Sequence, residues 1–296
     1  MSTDPLPSAT ESCTAQLSFE HASISFPVIP PFARKIGRLA TTVGYGDAVA
    51  EILENAGISV ELDGHLPSSD KGGLIIASDH RQGLEPFLLQ AALHTVRGEG
   101  VHIVAMPFSS VSARILEASG SHGHDLVIPA IASKHGVSNP PSLADKLKLF
   151  RHPDLRQTKE QFKAINMRSI AHAASRVALG HTLAIFPTGD AVDAATARWH
   201  TGLGRIVSML PPAAHDTTFI GVTELSQFSK IKILGALLGK DVGIGAPRQT
   251  VVVKASTMGQ VGDIFADKIH DASSDATKHI VDKVKDYYQS TFRPTN

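Results

Sequence analysis

His80 and Glu85 are the pair in this sequence whose types and separation suit acid–base chemistry, and Asp79 stands directly beside them. Imidazole is the side chain whose ordinary pKa lies nearest neutrality, so it can take a proton from a hydroxyl and later return it. A carboxylate bonded to one ring nitrogen fixes the tautomer and stabilises the protonated form. On a continuous helix an i, i+5 pair points roughly 140° apart by the 3.6-residue repeat, so the two meet only if the chain turns between them. A turn is what the surrounding residues predict. Gly72 and Gly73 open a short apolar run, Leu74 to Ala77, of the length and type of a buried strand ending at Ser78. Gly83 relaxes the chain, Pro86 suits a first helical turn, and residues 87–96 carry helix formers with apolar residues at helical spacing. The pair is therefore expected at a strand-to-helix junction, where the first helical N–H groups also orient side chains and hold anions. The plainer alternative is a polar loop histidine next to a helix-start carboxylate favoured by the macrodipole.

The elements that must position this junction alternate along the chain. Residues 31–56 read as one or two helices ending near Gly57, and 58–64 (ISVELDG) alternate as a strand. After the junction, 101–105 (VHIVA) form a buried strand, 111–118 a helix, and 125–132 (DLVIPAIA) a further extended run. The polar stretch 133–154 is the best candidate for an inserted loop or small subdomain. Helical periodicity over 159–179 ends at Gly180, a well-placed C′ residue, and 182–186 form a strand running into Pro187-Thr188-Gly189-Asp190. A helix is expected from Gly202 to Leu210, strands at 218–222, 243–244 and 250–255, and a closing helix at 275–291 with Ile280, Val284 and Tyr287 on one face. Strands alternating with helices predict an α/β fold, a mixed and largely parallel central sheet flanked by helices. A leader at 1–17, rich in Ser, Thr and Pro, is expected to be disordered, with 18–296 forming a single domain.

Composition excludes several functions. The chain has 296 residues, 42% of them hydrophobic, which is ample for a substantial core. Its 28 basic residues balance 28 acidic ones, so no global field favours nucleic acid as a partner. Cys13 is the single cysteine, which rules out an internal disulfide and a multi-cysteine zinc site and fits a reducing, cytoplasmic location. The leader lacks the basic and apolar regions of a signal peptide, and no apolar run reaches the length of a transmembrane helix. Two short apolar segments flanked by basic residues, 26–32 (FPVIPPF) and 231–238 (IKILGALL), are expected in the core; a peripheral membrane contact is their alternative role. The histidine cluster His122-Gly123-His124-Asp125, with His135 nearby, reads as a solvated loop, and no metal site is expected. Gly202-Leu203-Gly204 lacks the third glycine of a dinucleotide fingerprint, and no serine sits in a G-x-S-x-G elbow.

The order of these motifs resembles the glycerophospholipid acyltransferase family, which moves a fatty acyl group from a thioester to glycerol 3-phosphate or a lysophospholipid. That family carries Asn-His-x-x-x-x-Asp after a strand, matched here by Asp79, His80 and Glu85. Roughly 80 to 110 residues further on it carries Phe-Pro-Glu-Gly-Thr at a strand end, matched by Phe186, Pro187, Thr188, Gly189 and Asp190. Arg198, Trp199, His200 and Gly202 look like the segment that follows, and the resemblance covers about residues 60 to 225. It implies a glycerol-3-phosphate acyltransferase-like fold with His80 as general base and Glu85 orienting it. It further implies Phe186, Pro187, Thr188, Gly189, Arg198 and Gly202 around the substrate, with Arg205 a second cationic candidate. Acyl-CoA or acyl carrier protein would be the donor substrate and a lipid-like hydroxyl compound the acceptor, with no cofactor. Glu85 and Thr188 stand where the family has Asp and Glu, and Asp79 in place of Asn is a second candidate carboxylate for the imidazole. The other reading these departures leave open is a catalytically inactive member that binds lipid or acyl chains.

Overall fold

The structure, a computed structural model, describes residues 39, 43–81, 83–98, 100–105, 127–129, 159–189, 194–237, 248–269, 271 and 273–293. The expected leader, the 26–32 segment, the 111–118 helix, the 133–154 insertion, the histidine cluster, Asp190 and the 243–244 strand lie outside these residues.

The run that the sequence marks as buried is the middle of the molecule. Strand β2 (Gly73–Ser78) is buried at every position, as expected of a strand covered on both faces. Among the described residues, seven strands form one sheet in the order β1-β7-β6-β2-β5-β3-β4. They are β1 (Ile58–Gly64), β2, β3 (His102–Ala105), β4 (Val127–Pro129), β5 (Thr182–Ile185), β6 (Thr218–Leu225) and β7 (Gln249–Gln260). β2 pairs in parallel with β5 on one side and with β6 on the other, and β3 and β4 continue the parallel set. β7 runs antiparallel to β6 and parallel to β1, so the sheet is mixed and largely parallel.

Alternate residues of each strand face opposite layers of helices. Leu74 and Ile76 pack against α1 (Tyr45–Asn55), α2 (Glu85–Arg97) and α5 (Lys230–Leu237). Ile75 and Ala77 pack against α3 (Lys159–Ala178), α4 (Gly202–Ser208), α6 (Val261–Phe265) and α7 (Ser274–Phe292). Helix α7 starts with a side-chain cap, Ser273 Oγ accepting from the Ala276 N–H at 3.1 Å. It lies so close to α4 that a Cβ on Gly204 would stand 2.1 Å from the Thr277 carbonyl oxygen, so only glycine permits that crossing.

Three expectations change in detail. The last strand extends to Gln260, well past the expected 250–255, because its second half pairs with β6 while its first half pairs with β1. The buried aromatic of α7 is Tyr288, with Tyr287 half-buried and its hydroxyl 2.7 Å from Ser256 Oγ. In α5, Ile233 and Ala236 enter the core as expected, whereas Ile231 is 84% exposed because it falls on the opposite helical face. No helix among the described residues is long and apolar enough to cross a membrane.

Candidate functional site

Because β5, β2 and β6 are adjacent and parallel, their C-terminal ends deliver three chain segments to one edge of the sheet. In open α/β sheets this is the edge where ligands bind. β2 delivers Asp79 and His80, β5 delivers Phe186 and the turn after it, and β6 delivers Glu224 and Leu225.

The turn from β2 into α2 brings His80 back onto Glu85. His80 Nδ1 lies 3.1 Å from Glu85 Oε2, and the Arg81 backbone N–H donates to Glu85 Oε1 at 2.8 Å. Gly83 makes the turn with φ +81°, a conformation that side-chain-bearing residues rarely adopt. Glu85 is 1% exposed and His80 18%, so the carboxylate is sealed beneath an imidazole that still reaches solvent. With Nδ1 facing the carboxylate, this geometry suits the neutral ring that carries its proton on Nδ1 and leaves the Nε2 lone pair to take another. The Phe186 ring packs on the imidazole at 4.6 Å between centroids and supports it from β5.

Asp79, the second candidate carboxylate, is engaged elsewhere. Its Oδ2 lies 3.0 Å from Arg81 Nε, and its Oδ1 accepts the Leu225 N–H at 3.3 Å. Arg81 also reaches Glu224 Oε1 at 2.8 Å, and Glu224 Oε2 accepts from Arg293 at 2.9 Å. Burial works against the Arg81 charge, but Asp79 and Glu224 outweigh it and raise its pKa. Tyr288 faces the same cluster; burial, together with the Asp79 and Glu224 charges, pushes its phenol above the ordinary value, so it stays neutral.

Burial pushes the Asp79 carboxyl from its ordinary 3.8 up to about 7, against the pull of Arg81 and the Leu225 N–H and with a further push from Glu85 and Glu224. The folded state therefore holds a proton that the unfolded chain releases, and stability falls as pH rises between about 4 and 7. A shift of this size corresponds to about 4 kcal/mol at most. Asp79→Asn removes the titration, so its unfolding free energy should decline less than that of wild type between pH 4 and pH 8. Urea denaturation across that range checks this; parallel profiles for the two proteins would show that Asp79 does not titrate there.

The FPTG turn is built as the sequence reading expects. Gly189 N–H donates to the Phe186 carbonyl at 3.0 Å, and the His200 N–H donates to the Pro187 carbonyl at 2.8 Å. Thr188 is buried at 4% exposure, and Gly189 backs onto the His200 ring. Gly202 begins α4 against Ile185, but α4 has only seven residues. Arg198 and Arg205 are exposed, and among the described residues no hydrogen bond or ion pair joins either side chain to the dyad. The guanidinium groups of Arg81 and Arg293 instead meet at Glu224, and that of Arg81 also at Asp79.

No protein-family model matches this chain, and no curated protein does. Sequence reading passed over Glu224, Arg81 and Arg293. The available signal for Glu224 was an acid closing an apolar strand, placed to share the edge on which His80 sits. Arg293 follows a helix end and carries no such signal. Among the described residues, no group of three or more His, Cys, Asp or Glu side chains is placed to hold a metal ion.

Proposed function

We propose that this protein is an acyltransferase that moves a fatty acyl group from acyl-CoA or acyl carrier protein to a hydroxyl of a glycerophospholipid-type or related acceptor. The observation that carries the reading is the His80 Nδ1 to Glu85 Oε2 contact at 3.1 Å, at the C-terminal edge of a central parallel strand, with the Phe186 turn packed on the imidazole. A base held in one tautomer by a buried carboxylate suits removal of a proton from a weakly acidic hydroxyl.

In this mechanism the acceptor hydroxyl gives its proton to His80 Nε2 as its oxygen attacks the thioester carbonyl carbon. Glu85 stabilises the imidazolium that forms. The tetrahedral intermediate collapses with cleavage of the carbon–sulfur bond, and the departing thiolate takes the proton from Nε2. Neither water nor a redox partner enters the balance. Phe186 packs on the imidazole, and in this reading Pro187, Thr188 and Gly189 of the same turn, with Arg198 and Gly202 on the loop and helix that follow, are the residues on the substrate side. The donors are intracellular molecules, so the reading places the protein in the cytoplasm, in peripheral contact with the inner membrane face when the acceptor is lipid.

The test is free-thiol release from a panel of acyl-CoA and acyl carrier protein thioesters, with and without glycerol 3-phosphate and lysophospholipid acceptors. Release that requires an acceptor and is accompanied by the acylated product is the expected result. Release without any acceptor would make the protein a thioesterase. Saturable lipid binding with no turnover would support a silent lipid-binding protein.

A further inference from the structure

We propose that Arg81 is a positioning residue for the His80–Glu85 dyad, and that Arg293 at the end of α7 governs the dyad through Glu224. The first half follows from three contacts made by one residue. The Arg81 backbone N–H holds Glu85 Oε1 at 2.8 Å, while its side chain is tied to Asp79 at 3.0 Å and to Glu224 at 2.8 Å. His80 is therefore the one residue between two that are both fastened to the end of β6, since Asp79 also accepts the Leu225 N–H and donates its own N–H to the Thr223 carbonyl at 3.4 Å. Movement of the Arg81 side chain shifts the peptide that orients the Glu85 carboxylate.

The second half follows from what keeps Glu224 in place. Glu224 is nearly buried, and Arg293 grips both of its oxygens, one guanidinium nitrogen at 2.9 Å on Oε2 and the other on Oε1. A two-pronged contact of this kind fixes the orientation of a carboxylate as well as its charge. Arg81 bonds the Oε1 that Arg293 also bonds, so rotation of Glu224 would withdraw the acceptor from Arg81. The backbone of α7 just before Arg293 is itself anchored, with Tyr288 fully buried and packed on Trp199. A chain of contacts thus runs from α7 through Glu224 and Arg81 to Glu85 and His80, and no atom of Arg293 need touch a substrate.

The proposal rests on the general-base reading of His80, but its primary readout needs no substrate. In full-length protein labelled at histidine with nitrogen-15, the His80 ring signals are assigned by their loss in His80→Ala, and exchange of the Nδ1 proton with water is measured at pH 8. Arg293→Ala and Glu224→Gln should each speed that exchange about tenfold, the effect of weakening one charge-assisted bond in the chain. Arg293→Lys should recover part of it, because an ammonium restores the charge without the two-pronged geometry. In an Arg81→Ala background, Arg293→Ala should add nothing further, as required if it acts through Arg81. In the acyl-transfer assay kcat should fall about tenfold with KM within about twofold. Glu224→Gln keeps the side chain's size, so it decides the matter if Arg293→Ala fails to fold. Unchanged exchange in a folded Glu224→Gln, or additive effects of Arg81→Ala and Arg293→Ala, would overturn the proposal. Faster exchange in a protein that shows no acyl transfer would uphold the clamp and reject the enzyme.

Discussion

Replacing His80 with alanine should lower acceptor-dependent thiol release by about 100- to 10,000-fold, the usual contribution of a positioned general base. Glu85→Gln should come close to the same loss, for a reason specific to this turn. Both carboxylate oxygens of Glu85 are engaged: Oε1 accepts the Arg81 backbone N–H at 2.8 Å, and Oε2 faces His80 Nδ1 at 3.1 Å. An amide has a single acceptor oxygen, so in the variant one of those two nitrogens must face an NH2 group. If the backbone N–H keeps the oxygen, Nδ1 is driven to become the acceptor, and the proton moves to Nε2, the nitrogen that has to receive one. Glu85→Asp keeps both acceptors but draws them back by about 1 Å, a displacement that costs on the order of 100-fold when it misplaces a catalytic group. Steady-state kinetics on the three variants, with folding checked by circular dichroism, should rank Asp above Gln and Gln at or above the His80 variant. Full activity in Glu85→Gln would remove Glu85 from the mechanism and leave His80 to act alone.

That ranking also shows what the extra methylene of Glu85 does. Beside the shorter carboxylate of the family that the motifs resemble, the longer arm looks like a mismatch in sequence. In the structure the turn from His80 to Glu85 absorbs it and the contact closes at 3.1 Å. The junction was legible because it follows from local rules: an apolar run that must be buried, a glycine that permits a reversal, and a proline suited to a helix start. Phe186 against His80 was legible only through motif order, since the 105 intervening positions (186 − 80 − 1) carry no distance information of their own. The clamp behind the dyad was not legible at all. Glu224 reads as the polar end of a strand and Arg293 as an ordinary residue past a helix, and their meeting depends on which strands are neighbours.

The same distinction divides the fold. Strand existence came from hydrophobic runs, which record burial and nothing about direction. β7 has the same apolar alternation whichever way it runs, so its antiparallel pairing with β6 and its parallel pairing with β1 had no local signature. Tyr287 and Tyr288 stand three and four positions after Val284, and both spacings belong to one helical face. Packing against Trp199 at 5.7 Å and Phe292 at 5.1 Å is what puts Tyr288 inside.

Arg97→Ala should be the most destabilising single change outside the site, by about 4 kcal/mol. Arg97 closes α2, a position where a cation complements the helix dipole and ordinarily points to solvent. Here the side chain is 2% exposed and makes five hydrogen bonds. Nε donates to Thr182 Oγ1 at 2.8 Å, one terminal nitrogen to the Pro67 and Ser68 carbonyls, and the other to the Gly72 and Gly180 carbonyls. These acceptors lie on the segment entering β2 and at the start of β5, so one guanidinium ties together the roots of the two strands whose far ends carry His80 and Phe186. Alanine would leave those acceptors without their donor, and a buried acceptor that loses its partner costs about 1 to 3 kcal/mol, partly relieved by water entering the space. Arg97→Lys should recover only part of the loss, since three donors on a point charge cannot reach acceptors arranged for a planar fork. In a protein of this size the alanine change corresponds to a fall in Tm of about 8 to 16 °C. Differential scanning calorimetry on both variants tests the account, and an alanine variant melting within about 2 °C of wild type would mean that water replaces the guanidinium at almost no cost.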